Sequence, residues 1–323
     1  MGVARQYCGV LGKVANCQVG VFLAHVGPRG RALVDKRLYL PPEWTNDPAR
    51  CEAAGIPKEQ QVYHSEAQLA LAMLLQAQAR GHLGAEWVTG DDTFGKSPEF
   101  RDGVAAAGFH YVLEIPPETP VWPLEPTYET PPYAGRGPRP APRPVVAERQ
   151  EVRARAQQLP QEAWQTITVA EGTQGPRTYR FAAEPVRQTR DGAPGGVLWL
   201  VYRENLDGSE PRYFFSNAPA ATELSTLAWV AAARWPIETE FETDKSDIGL
   251  DEYEVRSWAG WHHHITMCLL ASAFLLTMQQ EWGEKDAPAH APPDVPDRPR
   301  TVAAGAIHAR GTAGVAGRDA TAQ

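Results

Sequence analysis

The segment Arg234–Lys245 reads RWPIETEFETDK and spaces its charged residues as R-(3)-E-(6)-K. If the segment is helical, Arg234, Glu238 and Lys245 share one face, because successive helical residues are separated by about 100°. A carboxylate between two cations on one face suits a site that holds a divalent metal ion and a phosphodiester together. The alternative is a salt-bridged surface helix, in which such charge patterns are common.

A second acidic element lies far upstream, where Asp91 and Asp92 follow a short predicted strand, Ala85–Thr89. Ligand and metal sites in α/β sheets gather at the carboxyl ends of strands. Asp is also a common turn residue, so this pair alone is weak evidence for a site.

The residues from Gly90 to Ser97 also satisfy the P-loop pattern G-x-x-x-x-G-K-[ST]. An NTPase is therefore an alternative. It is disfavoured because two carboxylates inside the phosphate cradle would repel a triphosphate. Pro98 also removes a backbone donor from the turn that follows.

Composition excludes several classes of protein. The 323 residues carry a formal net charge of −8, so a nucleic-acid-binding chain must concentrate its cations locally. The four cysteines show no C-x-x-C spacing, which indicates a reducing cytoplasm. The sequence shows neither a secretion leader nor an apolar run long enough to span a membrane.

The order of predicted elements is two strands, a helix, an acid-ended strand, a helix, a strand, a β-rich insertion and long helices. This order predicts an α/β protein with an RNase H-like mixed sheet, flanking helices and a β-rich insertion before the Glu-bearing helix, with the first strand missing. We predict a helix that Ser65 caps and that runs to about Arg80, with leucines at helical spacing. We also predict helical structure over Val145–Gln158, and insertion strands at Thr166–Val169, Arg177–Glu184, Gly196–Tyr202 and Arg212–Ser216. The predicted divisions are 1–115, the first part of the catalytic domain; 116–216, a Pro-rich linker and the β insertion; 217–282, the helical second part; and 283–323, a disordered tail.

Two further sequence features carry little evidence for a binding site. The run His262–His264 points in three directions on a helix, so these side chains cannot converge on one metal ion. Trp122 follows a strand end and could stack on a base, but packing against the insertion is the favoured interpretation.

Together these segments resemble a bacterial insertion-sequence transposase of the DDE superfamily, which shares the RNase H-like fold of retroviral integrases. The resemblance covers roughly residues 2–280. It is carried by five stretches, namely Gly2–Gly9, Leu38–Pro41 with Trp44, Asp91–Gly95 in a D-x-x-[YF]-G register, Arg234–Lys245, and Gly249–Arg256.

The resemblance implies that Asp91 and Glu238 are the second and third catalytic carboxylates and that they bind two Mg²⁺ ions, with Mn²⁺ as a substitute. Arg234, Lys245 and Arg256 would support the acids or contact DNA. The implied partners are double-stranded DNA, as transposon terminal repeats and target, and a homo-oligomer or a full-length transposase copy. The implied location is the bacterial cytoplasm, on the nucleoid.

One departure from the family concerns the first catalytic Asp, which lies on a strand just upstream of the Gly-Val-Ala-Arg-Gln-Tyr stretch. Here that stretch begins at Gly2, so we expect a chain truncated at its N-terminus, inactive alone, and with an unpaired edge along Cys17–Val26. A non-catalytic fragment that binds DNA or co-assembles with a full-length copy is the second hypothesis.

Overall fold

The computed structural model of the protein describes residues 1–8, 11–27, 30–81, 83–133, 135–172, 175–286 and 300–310. The strands are β1 (Ala4–Cys8), β2 (Lys13–Gly27), β3 (Gly30–Leu38), β4 (Trp87–Gly90), β5 (His110–Ile115), β6 (Pro120–Trp122), β7 (Tyr128–Glu129), β8 (Arg143–Pro144), β9 (Gln150–Glu151), β10 (Gln165–Gly172), β11 (Gly175–Arg190), β12 (Ala193–Glu204), β13 (Arg212–Ser216) and β14 (Thr301–Arg310). The α-helices are α1 (Pro42–Thr45), α2 (Pro48–Ala53), α3 (Glu66–Ala79), α4 (Asp92–Gly95), α5 (Pro98–Ala106), α6 (Val152–Ala156), α7 (Leu224–Ala232), α8 (Trp235–Ile248) and α9 (Trp258–Asp286).

Twelve strands form one mixed sheet in the order β1-β2-β14-β4-β5-β13-β12-β11-β6-β9, with β3 beside β2 and β10 beside β11. The strands β14, β4 and β5 run parallel, whereas β14 and β2 are antiparallel. Helices flank the sheet, so the mixed α/β architecture predicted from the sequence is confirmed. In the part of the chain that the structure describes, no helix combines the length and apolarity needed to cross a bilayer.

Alternation along β5 shows how the sheet is buried on both faces. Tyr111, Leu113 and Ile115 pack with α3 and α5, whereas Val112 packs with α7 on the other face. Glu114 has the same parity as Val112 and therefore lies on the α7 face of the sheet. Its buried carboxylate pairs there with Arg212 and Arg234. A third apolar cluster joins α8 and α9 to β2 and β3.

The helix α3 begins and α8 ends at residues suited to those positions. Ser65 and Gln68 form a reciprocal capping box at the start of α3, as the predicted Ser65 cap requires. Gly249 ends α8 in the left-handed conformation, with φ of 67°, which glycine adopts without a Cβ penalty.

The centre of the sheet departs from the expected arrangement. We expected an unpaired edge along Cys17–Val26 and disorder from residue 283 onward, but β14 pairs with β2 from Thr301↔Val26 to Arg310↔Cys17. The same strand pairs with β4 from Thr301↔Trp87 to Ala304↔Gly90. Pairing on both sides satisfies the backbone groups that an open edge would expose. Residues 287–299 and 311–323 of the expected tail lie outside the described residues.

The predicted insertion strands are present, and they extend the central sheet because β13 pairs with β5. The helix predicted over Val145–Gln158 is wrong for most of its length, since β9 and the short α6 lie there. Trp122 is fully buried on β6, where it pairs with Arg187 of β11, so the packing interpretation is confirmed. The four-part domain division stays a prediction.

Candidate active site

Asp91 lies where β4 ends and α4 begins, and it acts as the N-cap of α4. Its Oδ1 accepts a hydrogen bond of 2.9 Å from the Thr93 backbone N–H. Asp92, the first residue of α4, is exposed. Of the two acids, therefore, Asp91 faces the protein and Asp92 faces solvent.

Burial raises the pKa of Asp91, and the positive charge of Arg234 acts in the opposite direction. A second carboxyl group lies close by, at the first residue of α3. Burial and then the charge of Asp91 raise the pKa of Glu66 to about 7, while Lys96 opposes this shift. This end of the sheet therefore gathers acidic groups that share little solvent.

Arg234 connects the second acidic element to the sheet. Its Nη1 lies 2.8 Å from Glu238 Oε1, one helical turn along α8, and its Nη2 lies 3.5 Å from Glu114 Oε2. Glu114 also accepts a hydrogen bond of 2.7 Å from Arg212 Nη1 on β13. One guanidinium thus contacts both Glu114 and Glu238, and its charge also acts on Asp91.

The other two predicted cations lie apart from this group. Lys245 is half-buried in the last turn of α8, and Arg256 is exposed between α8 and α9. The charge of Arg256 acts on the amino group of Met1, whose pKa is lowered first by burial, then by Arg50 and Arg256. The roles of Lys245 and Arg256 in DNA binding stay predictions.

The segment from Gly90 to Ser97 forms a helical turn. The backbone N–H groups of Phe94, Gly95 and Lys96 donate to carbonyls of Asp91 and Asp92. These donors are therefore occupied within the turn, whereas a P-loop directs its N–H groups toward phosphate.

The three histidines of α9 point apart, as helical geometry requires. His262 packs against Trp258 and Trp261, and burial lowers its pKa to about 4, with help from Lys36 and Arg37. His263 is exposed, and His264 Nε2 lies 3.0 Å from the Gly249 carbonyl.

The comparisons with known proteins identify the family of the chain. The family model described as DDE superfamily endonuclease matches residues 1–176. The chain belongs to the DDE superfamily endonucleases. A search of curated proteins found no match. The matched residues include Asp91 and Glu114 but end before Arg234 and Glu238, so the assignment of Glu238 as a site residue is a proposal.

DDE superfamily endonucleases use divalent metal ions, and the residues present can be tested for that role. Within the described parts of the chain, no three Asp, Glu, His or Cys side chains converge so that they could hold a metal ion. The Arg234 guanidinium pairs with Glu238, and β14 offers no Asp or Glu at the centre of the sheet. The donor set among the described residues therefore does not fit a two-metal site. Convergence of Asp91 and Glu238 on bridging metal ions stays a prediction.

Four residues of this site were missed from the sequence: Glu66 at the start of α3, and Glu114, Arg203 and Arg212 in the sheet. The last three lie inside or at the end of a strand, where a charged residue is usually a solvent-facing position. The available signal was their shared parity, because Arg203 of β12 pairs with Arg212, and Glu114 pairs with Phe214, two residues further along β13. That signal can be used only when the strand order is known.

Proposed function

We propose that this DDE endonuclease is the DNA-binding and catalytic region of an insertion-sequence transposase, and that its residues 1–323 bind DNA without cutting it. The observation that supports this proposal is the Arg234 guanidinium, which pairs with Glu114 and Glu238 and whose charge acts on the buried Asp91. It combines acids at a strand end with a cation that could meet a phosphodiester. The NTPase alternative is not proposed, because the donors between Gly90 and Ser97 are used within their own turn.

In this proposal, Asp91 and Glu238 are the carboxylates that would hold the Mg²⁺ ions of the strand-cleavage reaction once a further carboxylate completes the donor set. Mg²⁺ needs near-octahedral oxygen coordination, and two-metal sites keep their ions about 3.5–4 Å apart. Asp91 and Glu238 alone leave such a pair poorly ligated. The missing ligand must come from residues other than those of β14.

Arg234 has a positioning role in the same proposal. Its ion pair with Glu238 fixes the start of α8, and its contact with Glu114 ties that helix to β5. The Glu114 side chain is only 10% exposed, and its ion pairs with Arg212 and Arg234 offset the cost of burying its carboxylate. The site is therefore held in place by ion pairs before any substrate binds.

The test uses the purified chain and DNA that carries both ends of the element. Binding is measured by fluorescence anisotropy, and cleavage by gel analysis in Mg²⁺ and in Mn²⁺. We expect binding and no specific cleavage. Specific cutting by the chain alone would refute the incomplete site, and failure to bind any duplex would refute the DNA-binding role.

A further inference from the structure

Three arginines converge on the α7 face of the sheet, beside the candidate active site. Arg203 of β12 and Arg212 of β13 are directly opposite each other in the antiparallel register. Arg234 joins them through Glu114, which contacts both Arg212 and Arg234. We name Arg203, Arg212 and Arg234 the arginine cluster.

This arrangement is unfavourable for the folded chain alone. Like charges on directly opposite residues of antiparallel strands destabilise the pair. Burial lowers the pKa of Arg203, and the charges of Arg212 and Arg234 act in the same direction, whereas Tyr179 and Glu114 oppose the shift. The fold thus places two cations opposite each other, whereas a neutral side chain at either position would avoid this repulsion.

The cluster also has one buried donor without a partner. The Arg203 Nε has no hydrogen-bond partner among the described residues, although its guanidinium lies 4.5 Å from the centre of the Tyr179 ring. The Arg212 side chain is 50% exposed, so this end of the cluster is open to solvent. A buried donor without a partner beside an open cationic surface indicates an anionic ligand.

We infer that the arginine cluster binds a phosphate group of the DNA backbone, an inference that rests on the proposed function. Arginine offers a planar fork of donors that matches the oxygens of phosphate. A phosphate here would occupy the Arg203 donor and offset the repulsion between Arg203 and Arg212. Glu114 competes with that phosphate, because its carboxylate already accepts a hydrogen bond from Arg212 and forms an ion pair with Arg234.

The competition gives a test with opposite signs. Arg203→Gln and Arg212→Gln should each weaken binding of a labelled mixed-sequence duplex about tenfold, as expected for a lost charge-assisted hydrogen bond. Each should also reduce the slope of log K against log salt by about 1. Glu114→Gln should strengthen binding, because it frees Arg212 and Arg234. A merely structural network would instead lose affinity with all three variants.

Arg153→Gln is the matched control. The Arg153 side chain is 58% exposed and pairs with Glu151 at 2.7 Å, and the Arg212 side chain is 50% exposed and pairs with Glu114 at the same distance. The two pairs differ in the carboxylate, which is 43% exposed in Glu151 and 10% exposed in Glu114. The charge of Arg153 opposes the burial that raises the pKa of Tyr213. Tyr213 has the opposite parity to Arg212 on β13, so Arg153 lies on the other face of the sheet from Arg212. If Arg203→Gln and Arg212→Gln bind DNA as Arg153→Gln does, the phosphate site is refuted.

Inorganic sulfate separates failure of this inference from failure of the proposed function. If the wild-type chain binds no duplex, the melting temperature in sulfate is compared with that in chloride at equal ionic strength. A rise in the wild-type chain that Arg212→Gln abolishes supports an anion site in the arginine cluster. An equal response of wild type, Arg212→Gln and Arg153→Gln would overturn it.

Discussion

Gly95 leaves no room for a side chain at the contact between α4 and β5. A Cβ added there would lie 1.8 Å from the backbone oxygen of Glu114, so Gly95→Ala must push α4 away from β5. Overpacking of this kind costs about 1–3 kcal/mol, and we expect the upper part of that range because the opposing atom is backbone. Urea unfolding followed by tryptophan fluorescence measures the loss.

The control for this prediction is Gly196→Ala in β12, where the nearest atom to an added Cβ lies 3.6 Å away, in the flexible Gln188 side chain. Gly196→Ala should change the free energy of unfolding by no more than about 0.5 kcal/mol. Equal stability of Gly95→Ala and Gly196→Ala would show that α4 can move freely from β5.

At the same scale, the sequence identifies residues that belong to motifs. It misses residues whose role depends on a contact with a distant part of the chain. Asp91 and Glu238 stand in recognisable registers. Glu238 pairs with Arg234, and the charge of Arg234 opposes the burial that raises the pKa of Asp91. Glu114 stands in the strand sequence HYVLEI and has no motif around it. Its importance comes from Arg212, which is 98 residues away in the chain.

Among the elements, the α8–α9 contact contains a carboxyl group with an unusual pKa. Asp244 of α8 is buried, and mainly this burial raises its pKa from 3.8 to about 6. The groups facing it are Glu240 and Asp247 of α8, Arg31 of β3 and Ser272 of α9. Ser272 donates a hydrogen bond of 3.0 Å to Glu240, and Asp244 Oδ2 has no hydrogen-bond partner among the described residues.

A raised pKa in the folded state means that folding favours the protonated form of Asp244. Its contribution to stability is therefore full below about pH 4 and is lost as the pH rises through about 6. Asp244→Asn mimics the neutral form, so its stability relative to wild type should rise by on the order of 1 kcal/mol across this interval. Urea unfolding at both ends of the interval measures it. Asp247→Asn, at an exposed position, is the control, and a parallel pH profile for wild type and Asp244→Asn would contradict the prediction.

Elements with local signals were predictable, and those that depend on distant partners were not. The Ser65 cap and the leucine spacing predicted α3, and the structure confirms both. The strand Thr301–Arg310 reads TVAAGAIHAR, with few large apolar residues, so its composition indicates a tail. Its strand conformation comes from pairing with β2 and β4, which no local pattern encodes.

For the whole molecule, β14 is the connection between two parts of the sheet. β1, β2 and β3 lie on one side of it and β4 with the remaining strands on the other, and β2 and β4 meet through β14 in the strand order. The sequence predicted an open edge here. The described segment that lies furthest along the chain closes this edge instead. Pairing residues so far apart in sequence carries a large loop-closure entropy, which slows folding.

The last prediction tests this connection with Gly305→Pro. Gly305 pairs with Phe22 in the middle of β14, and proline would remove its N–H and fix its φ. We expect the free energy of unfolding to fall by about 3 kcal/mol or more, with faster amide hydrogen exchange along β2.

The control is Leu206→Pro. Leu206 is exposed and lies one residue after Asn205, whose carbonyl accepts the Gly208 N–H in a turn that favours proline at this position. Gly305→Pro with the stability and exchange pattern of Leu206→Pro would mean that the sheet does not depend on β14. The two parts of the sheet would then be joined by packing of α3 and α8 rather than by strand pairing.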